Sequence, residues 1–267
     1  MPRKVLAIVP HPDDAEYYAG GLIAKLAADG AQVLIAVTTD GIKGSFELAG
    51  SELADTRMAE MQAACRVLGI EPPLFLGYTD FELEKLPAGV LRERYIRLIR
   101  EQKPDTVITE DPFWLGETHP DHRAVALAAM EAIQYARLPR VHPEHLEEGL
   151  EPHIVSEKYF YSEEAARANR VIDITPFFAK KIAALAEHRS QIEFLVEGLL
   201  KEARLAGVDL KAALGDMAED KLALFTMGMR MQAAEIGAAH GYDLAEMYHY
   251  ERFHPLVEGL TQQASRP

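Results

Sequence analysis

Two short clusters hold the residues best suited to chemistry: His11-Pro12-Asp13-Asp14 and His119-Pro120-Asp121-His122. Between them they supply three imidazoles and three carboxylates. Catalytic zinc is commonly held by three protein ligands, often two histidines and a carboxylate, with a fourth position kept for water. Such an ion lowers the pKa of its water to about 7, and a nearby carboxylate can then act as general base. Adjacent aspartates suit that division of labour, one facing the ion and the other the water. The proline after each first histidine stiffens the turn. A single His-Pro-Asp would read as a turn whose aspartate caps a helix, and Asp13, Asp14 and Asp121 each suit that role. Two such elements at strand ends are hard to explain by capping alone.

The clusters become a site only if the chain brings them together. VLAIV (5–9), VLIAVTT (33–39), LFLG (74–77) and DTVITE (105–110) are apolar runs expected of strands buried on both faces. Helical spacing fills 16–29, 51–68, 88–102 and roughly 121–136, with Gly30 and Gly69 as stops. This alternation predicts an α/β fold: a Rossmann-like, doubly wound, mostly parallel sheet with helices on both faces and a helical C-terminal part. In the common 3-2-1-4 strand order, strands one and four are neighbours across the switch point, where ligands bind at the carboxyl ends. Both clusters follow those strands.

Residues 1–175 are expected to form the catalytic core, and 176–267 a helical part packed on the same domain. The stretch 137–156, with three prolines and His142, His145 and His153, is expected to be a lid-like surface insertion. EKYFYS (157–162) and RVIDIT (170–175) read as later strands. From Pro176 the chain is expected to be helical nearly to its end.

The net charge of −14 argues against a nucleic-acid partner. No apolar stretch approaches the roughly 20 residues of a membrane span, and the start is too short in apolar residues for a secretory signal. The lone cysteine, Cys65, fits a buried side chain in a reducing cytoplasm. The first strand is followed by PHPDDAEYYAGG, whose glycines come too late for a dinucleotide fingerprint.

HPDDAE after the first strand together with HPDH after the fourth resembles the LmbE/PIG-L family of zinc-dependent N-deacetylases. The resemblance covers at least residues 4–135. It implies one Zn²⁺ per chain, other divalent ions being admissible, held by His11, Asp14 and His122. It implies Asp13 as general base, His119 as the group that stabilises the oxyanion or protonates the amine, and Asp121 as its orienting carboxylate. Arg57, in SELADTRMAEMQAACRVLG, matches an arginine facing the substrate pocket; paired with Glu60 or Asp55 it would be a surface residue instead. The implied substrate is a small amino sugar or glycoconjugate carrying N-acetylglucosamine, and the implied assembly a homo-oligomer. Tyr18, Glu117 and Thr118 depart from the family pattern, which often has glycine at the first place and tyrosine-glycine at the other two.

Trp114, before HPDH, is a candidate sugar-stacking platform or equally an anchor of its loop. His188, in AEHRSQ, resembles a family position but receives no catalytic role, and His240, His249 and His254 read as surface or packing residues. Met217, Met227, Met229 and Met231 with Phe225 read as an apolar strip of core or interface. A metal hydrolase of another amide or an ester, a non-catalytic binding protein, and a nucleotide-binding protein are the competing readings.

Overall fold

A computed structural model describes residues 2–253, 256–258 and 260; His254 lies outside them. Among the described residues, seven strands form one sheet: β1 (Lys4–Val9), β2 (Gln32–Thr39), β3 (Leu74–Tyr78), β4 (Thr106–Glu110), β5 (Glu157–Tyr161), β6 (Arg170–Asp173) and β7 (Ala245–Glu251). Their spatial order is β3-β2-β1-β4-β5-β7-β6. The first five run parallel; β7 pairs antiparallel with both β5 and β6. The sheet is thus the mostly parallel, doubly wound one that the sequence predicts, and β1 and β4 are neighbours, with Val5 opposite Thr106 and Ala7 opposite Ile108.

Alternation within β1 feeds two cores. Val5, Ala7 and Val9 face the layer of α1 (Asp14–Ala28) and α2 (Gly50–Leu68), while Leu6 and Ile8 face α3 (Val90–Gln102) and α4 (Pro120–Tyr135). Burial on both faces is why these strands are continuous apolar runs. Cys65 is buried in the first core. Short α5 (Glu144–Glu147) follows, then α6 (Phe178–Leu185), α7 (Arg189–Leu205), α8 (Leu210–Leu214) and α9 (Lys221–Ala238). Among the described residues no helix is long and apolar enough to cross a membrane.

Two expectations are corrected. The C-terminal part is not helical to its end, because β7 enters the sheet. The buried Glu246 at its second position hides the strand pattern, accepting from Gly21 N and Leu22 N at 2.8 Å each and from Lys181 at 2.7 Å. Nor is 137–156 a lid over the site. It runs from the end of α4 to the start of β5, at the amino ends of the strands, opposite the motif clusters. The buried Arg100 of α3 holds it there, donating to the carbonyls of Ala136, Leu138, Val141 and His142 at 2.8–3.1 Å. His145 is buried between Arg100 and Glu93, and His153 meets the Pro104 carbonyl. Arg100→Ala strands these carbonyls, so urea unfolding should show a loss of about 3 kcal/mol. Activity per folded molecule should be retained, since this end is remote from the site.

Candidate metal centre

The turns leaving β1 and β4 bring His11, Asp14 and His122 to one point. His11 Nδ1 lies 3.1 Å from His122 Nε2. Asp14 Oδ2 is 3.3 Å from His11 Nδ1, and Asp14 Oδ1 is 3.6 Å from His122 Nε2. All three side chains are nearly buried. The outer nitrogen of each histidine meets a carboxylate: His11 Nε2 lies 3.1 Å from Asp80 Oδ1, and His122 Nδ1 lies 2.8 Å from Glu110 Oε2 and 3.2 Å from Glu117 Oε2. Carboxylates there draw the N–H outward and fix the tautomer, a common arrangement behind metal-bound imidazoles. The inner nitrogens then face each other beside a carboxylate, a donor set that a cation would satisfy. Their separation also fits, since two nitrogens about 2.0–2.1 Å from a tetrahedral ion stand about 3.3 Å apart.

The electrostatics agree. Burial pushes the pKa values of His11 and His122 down. For His11, Asp121, Asp14 and Asp80 outweigh it and carry the pKa well above the ordinary value. For His122, Asp14, Glu110 and Glu117 outweigh it and carry the pKa to about 10. Burial would raise Asp14, but His122 and His11 hold it well below the usual carboxylate range. Excess carboxylate around two imidazoles makes a cation-seeking site.

The capping explanation fails for all three motif aspartates. Asp13 precedes α1 with φ +130° and makes no side-chain cap bond. Such a backbone costs a non-glycine residue about 1–3 kcal/mol and is kept only where its surroundings enforce it. Here Arg57 enforces it, donating to Pro12 O, to Asp13 Oδ1 and to Gly41 O, each at 2.8 Å. Asp14 accepts from the backbone N–H of His11 at 2.7 Å. Asp121 accepts from Phe81 N at 2.6 Å and Leu83 N at 3.2 Å.

Asp121 therefore does not orient His119 through its carboxylate. Its backbone N–H does so, donating to His119 Nδ1 at 3.2 Å, and the carboxylate lies 3.7 Å from His11 Nε2 instead. Nor is the His119 pKa raised: burial first, then the neighbouring His11 and His122, lower it, and Asp121 offsets only part. With Nδ1 accepting, neutral His119 carries its proton on Nε2. Its ring lies 4.7 Å from that of His11 and 5.2 Å from that of His122, centre to centre, so it borders the same point.

A cleft of about 630 Å³ opens over these residues, walled by Tyr17, Tyr18, Phe81, Gln191, Phe194 and Leu195. Arg57 lines it, buried and bonded to Asp13 rather than to Glu60 or Asp55. Trp114 does not line it and stands edge-on to Tyr18, ring centres 6.0 Å apart. Asp80, Glu110 and Gln191 escaped the sequence reading. The first two had a legible signal, since each is an acid at or just beyond the carboxyl end of a predicted strand; Glu117 stood out there only as a departure from a pattern.

Gly41, at φ +65°, shows how tightly the arginine is held: a Cβ there would lie 2.3 Å from Arg57 Nη1. Gly41→Ala should displace the guanidinium from Asp13. We expect a stability loss of about 1–2 kcal/mol by thermal melting and about a tenfold fall in kcat/KM. Unchanged kinetics would show that the arginine contact is dispensable.

A ligand set at the switch point of a parallel sheet, beside a buried carboxylate, is the arrangement of a metallohydrolase site. Comparison with known proteins narrows the class. Residues 6–133 match the family PIG-L, described as GlcNAc-PI de-N-acetylase. The diacetylchitobiose deacetylase of Thermococcus kodakarensis is 35% identical over 191 residues, 71% of this chain and 70% of its own length. A probable N-acetyl-alpha-D-glucosaminyl L-malate deacetylase of Bacillus cereus is 32% identical over 74% of this chain and 87% of its own. The solved N,N'-diacetylchitobiose deacetylase of Pyrococcus horikoshii superposes with a TM-score of 0.76 at 30% identity, covering 94% of this chain and 84% of that one. The chain belongs to the PIG-L (LmbE-like) family of N-deacetylases.

Proposed function

We propose that this chain is a zinc-dependent hydrolase that removes an N-acetyl group from N-acetylglucosamine units of a small glycoconjugate, chitobiose-like sugars being the favoured class. The observation that carries the reading is the pair of inward-facing ring nitrogens of His11 and His122, 3.1 Å apart beside Asp14, with the half-buried Asp13 next in the chain. His11 Nδ1, the Asp14 carboxylate and His122 Nε2 would hold one ion per chain. When bound, that ion supplies Lewis-acid polarisation of the acyl oxygen and a water of lowered pKa.

The side chains do the rest. Arg57 holds Asp13 Oδ1, leaving Oδ2 to take the proton of the attacking water. Asp13 is raised to about 6, chiefly by burial with Arg57 opposing, a value suited to receiving that proton and releasing it to the departing amine. His119, neutral and protonated at Nε2, donates a hydrogen bond to the oxygen that becomes negative. The cleft admits a disaccharide-sized ligand, in keeping with the substrates named for the Thermococcus and Pyrococcus relatives.

Acetate release from N,N'-diacetylchitobiose, N-acetylglucosamine, simple acyl amides and p-nitrophenyl acetate tests this reading. The sugars should be hydrolysed by the zinc-loaded enzyme and by no metal-stripped sample. Hydrolysis of the ester alone, with both sugars untouched, would refute the amide assignment.

A further inference from the structure

At the start of α7, its capping residue His188 and the first-turn residues Ser190 and Gln191 reach three separate elements that carry the site. His188 is buried, with Nε2 3.7 Å from Oε2 of the equally buried Glu16 in α1. Beyond that contact neither side chain has a hydrogen-bond partner among the described residues. Ser190 donates its N–H at 2.9 Å and its hydroxyl at 2.6 Å to the two carboxylate oxygens of Glu60 in α2. Gln191, buried, donates its Nε2 to Gly44 O at 3.0 Å and to Ser190 Oγ at 3.1 Å.

The loop that Gln191 grips is wired to both halves of the chemistry. Lys43, next to Gly44, donates its N–H to Asp80 Oδ2 at 2.8 Å and its Nζ to Asp80 O at 2.6 Å. Asp80 Oδ1 in turn meets His11 Nε2. At the loop's other end, Gly41 O accepts from the same guanidinium that holds Asp13. A Cβ on Gly44 would lie 3.0 Å from Arg57 Nη1 and 3.0 Å from Gln191 Oε1, so the two side chains flank one Cα. Four residues, 41–44, thus connect a metal-site histidine to the base, and Gln191 fixes them from the C-terminal part of the chain. Apolar packing alone does not account for these polar contacts, because α7 buries Ile192 and Val196 for that purpose.

We infer that His188, Ser190 and Gln191 form a positioning clasp for this reaction, holding α1, α2 and the 41–44 loop in register so that Asp13 and His11 keep their geometry. The inference rests on the proposed deacetylase reading for its kinetic consequence, but not for its structural one. A misplacement of about 1 Å at a reacting group costs on the order of 10²-fold in rate, so the clasp acts on kcat.

The test uses the full chain loaded with zinc, as wild type, Gln191→Ala, Gln191→Glu, Ser190→Ala and Ser190→Thr. Hydrogen exchange of peptides covering 41–48 is followed together with kcat, KM and zinc content. Gln191→Glu keeps the shape but loses the donor to Gly44 O, and Ser190→Thr keeps the hydroxyl. Exchange over 41–48 should rise about tenfold in both Gln191 variants and in Ser190→Ala, with no change over β4 and β5. In the same three variants kcat should fall about tenfold or more, with KM and zinc content little changed, and Ser190→Thr should restore both readouts. Unchanged exchange over 41–48 would overturn the clasp whether or not the enzyme is active. Faster exchange with undiminished kcat would overturn its positioning role. A wild type that releases no acetate would count against the proposed function, and the exchange data would still decide the clasp.

Discussion

Asp13→Asn should bind its metal normally and lose on the order of 10²–10⁴ in kcat, the usual contribution of a positioned general base. Asparagine is nearly isosteric and its carbonyl oxygen can still accept from Arg57, so the strained turn before α1 should survive. What it cannot do is take a proton from water. Desolvation raises half-buried Asp13 to about 6 without a cation beside it, and a bound cation would lower that value. As a base it works deprotonated, so kcat/KM of the wild type should rise with pH along a limb at or below about 6. The asparagine variant should lack that limb. Amine release at saturating and at subsaturating substrate across pH, with zinc measured by mass spectrometry, checks both statements. Near-full activity in the variant would remove Asp13 from the role of base.

His11→Ala should instead lose the ion. The imidazole contributes the inner nitrogen 3.1 Å from His122 Nε2, and its outer nitrogen is the contact through which Asp80 and the 41–44 loop are tied to the centre. Removing it takes one of the three proposed ligands and leaves only Asp14 and His122 of that set. Zinc content should fall from about one per chain to near zero at micromolar free metal, and acetate release to background, since three protein ligands are the norm for catalytic zinc. The fold should persist, because a chain of this length buries enough apolar surface to fold without a metal. Equilibrium dialysis and circular dichroism on one sample separate metal loss from unfolding. Retention of zinc at wild-type affinity would mean that another set, such as Glu110, Glu117 and His122, holds the ion.

The legible part of this protein was the part governed by local rules. Apolar runs bounded by glycines placed four parallel strands, and the switch-point rule placed His11 and His122 on one rim though 111 residues separate them. Supporting groups were harder, because their roles depend on direction rather than spacing. Asp121 follows His119 at the right interval to orient it, yet its carboxylate turns to the backbone of Phe81 and Leu83. β7 was hidden because its buried Glu246 is satisfied by N–H groups more than 220 residues away, a pairing no local pattern encodes. The histidines of 137–156 read as surface or packing residues, and the contacts of His142 and His145 with Arg100 and of His153 with the Pro104 carbonyl are structural.

The most direct test is crystallography of the protein grown with zinc, with anomalous data collected on both sides of the zinc absorption edge. The account predicts one strong peak within about 2.0–2.3 Å of His11 Nδ1, an Asp14 carboxylate oxygen and His122 Nε2, with the Asp13 carboxylate beside it. A peak centred instead on His142, Glu144 and His145, or no peak among the ligands of the HPDD and HPDH clusters, would contradict it.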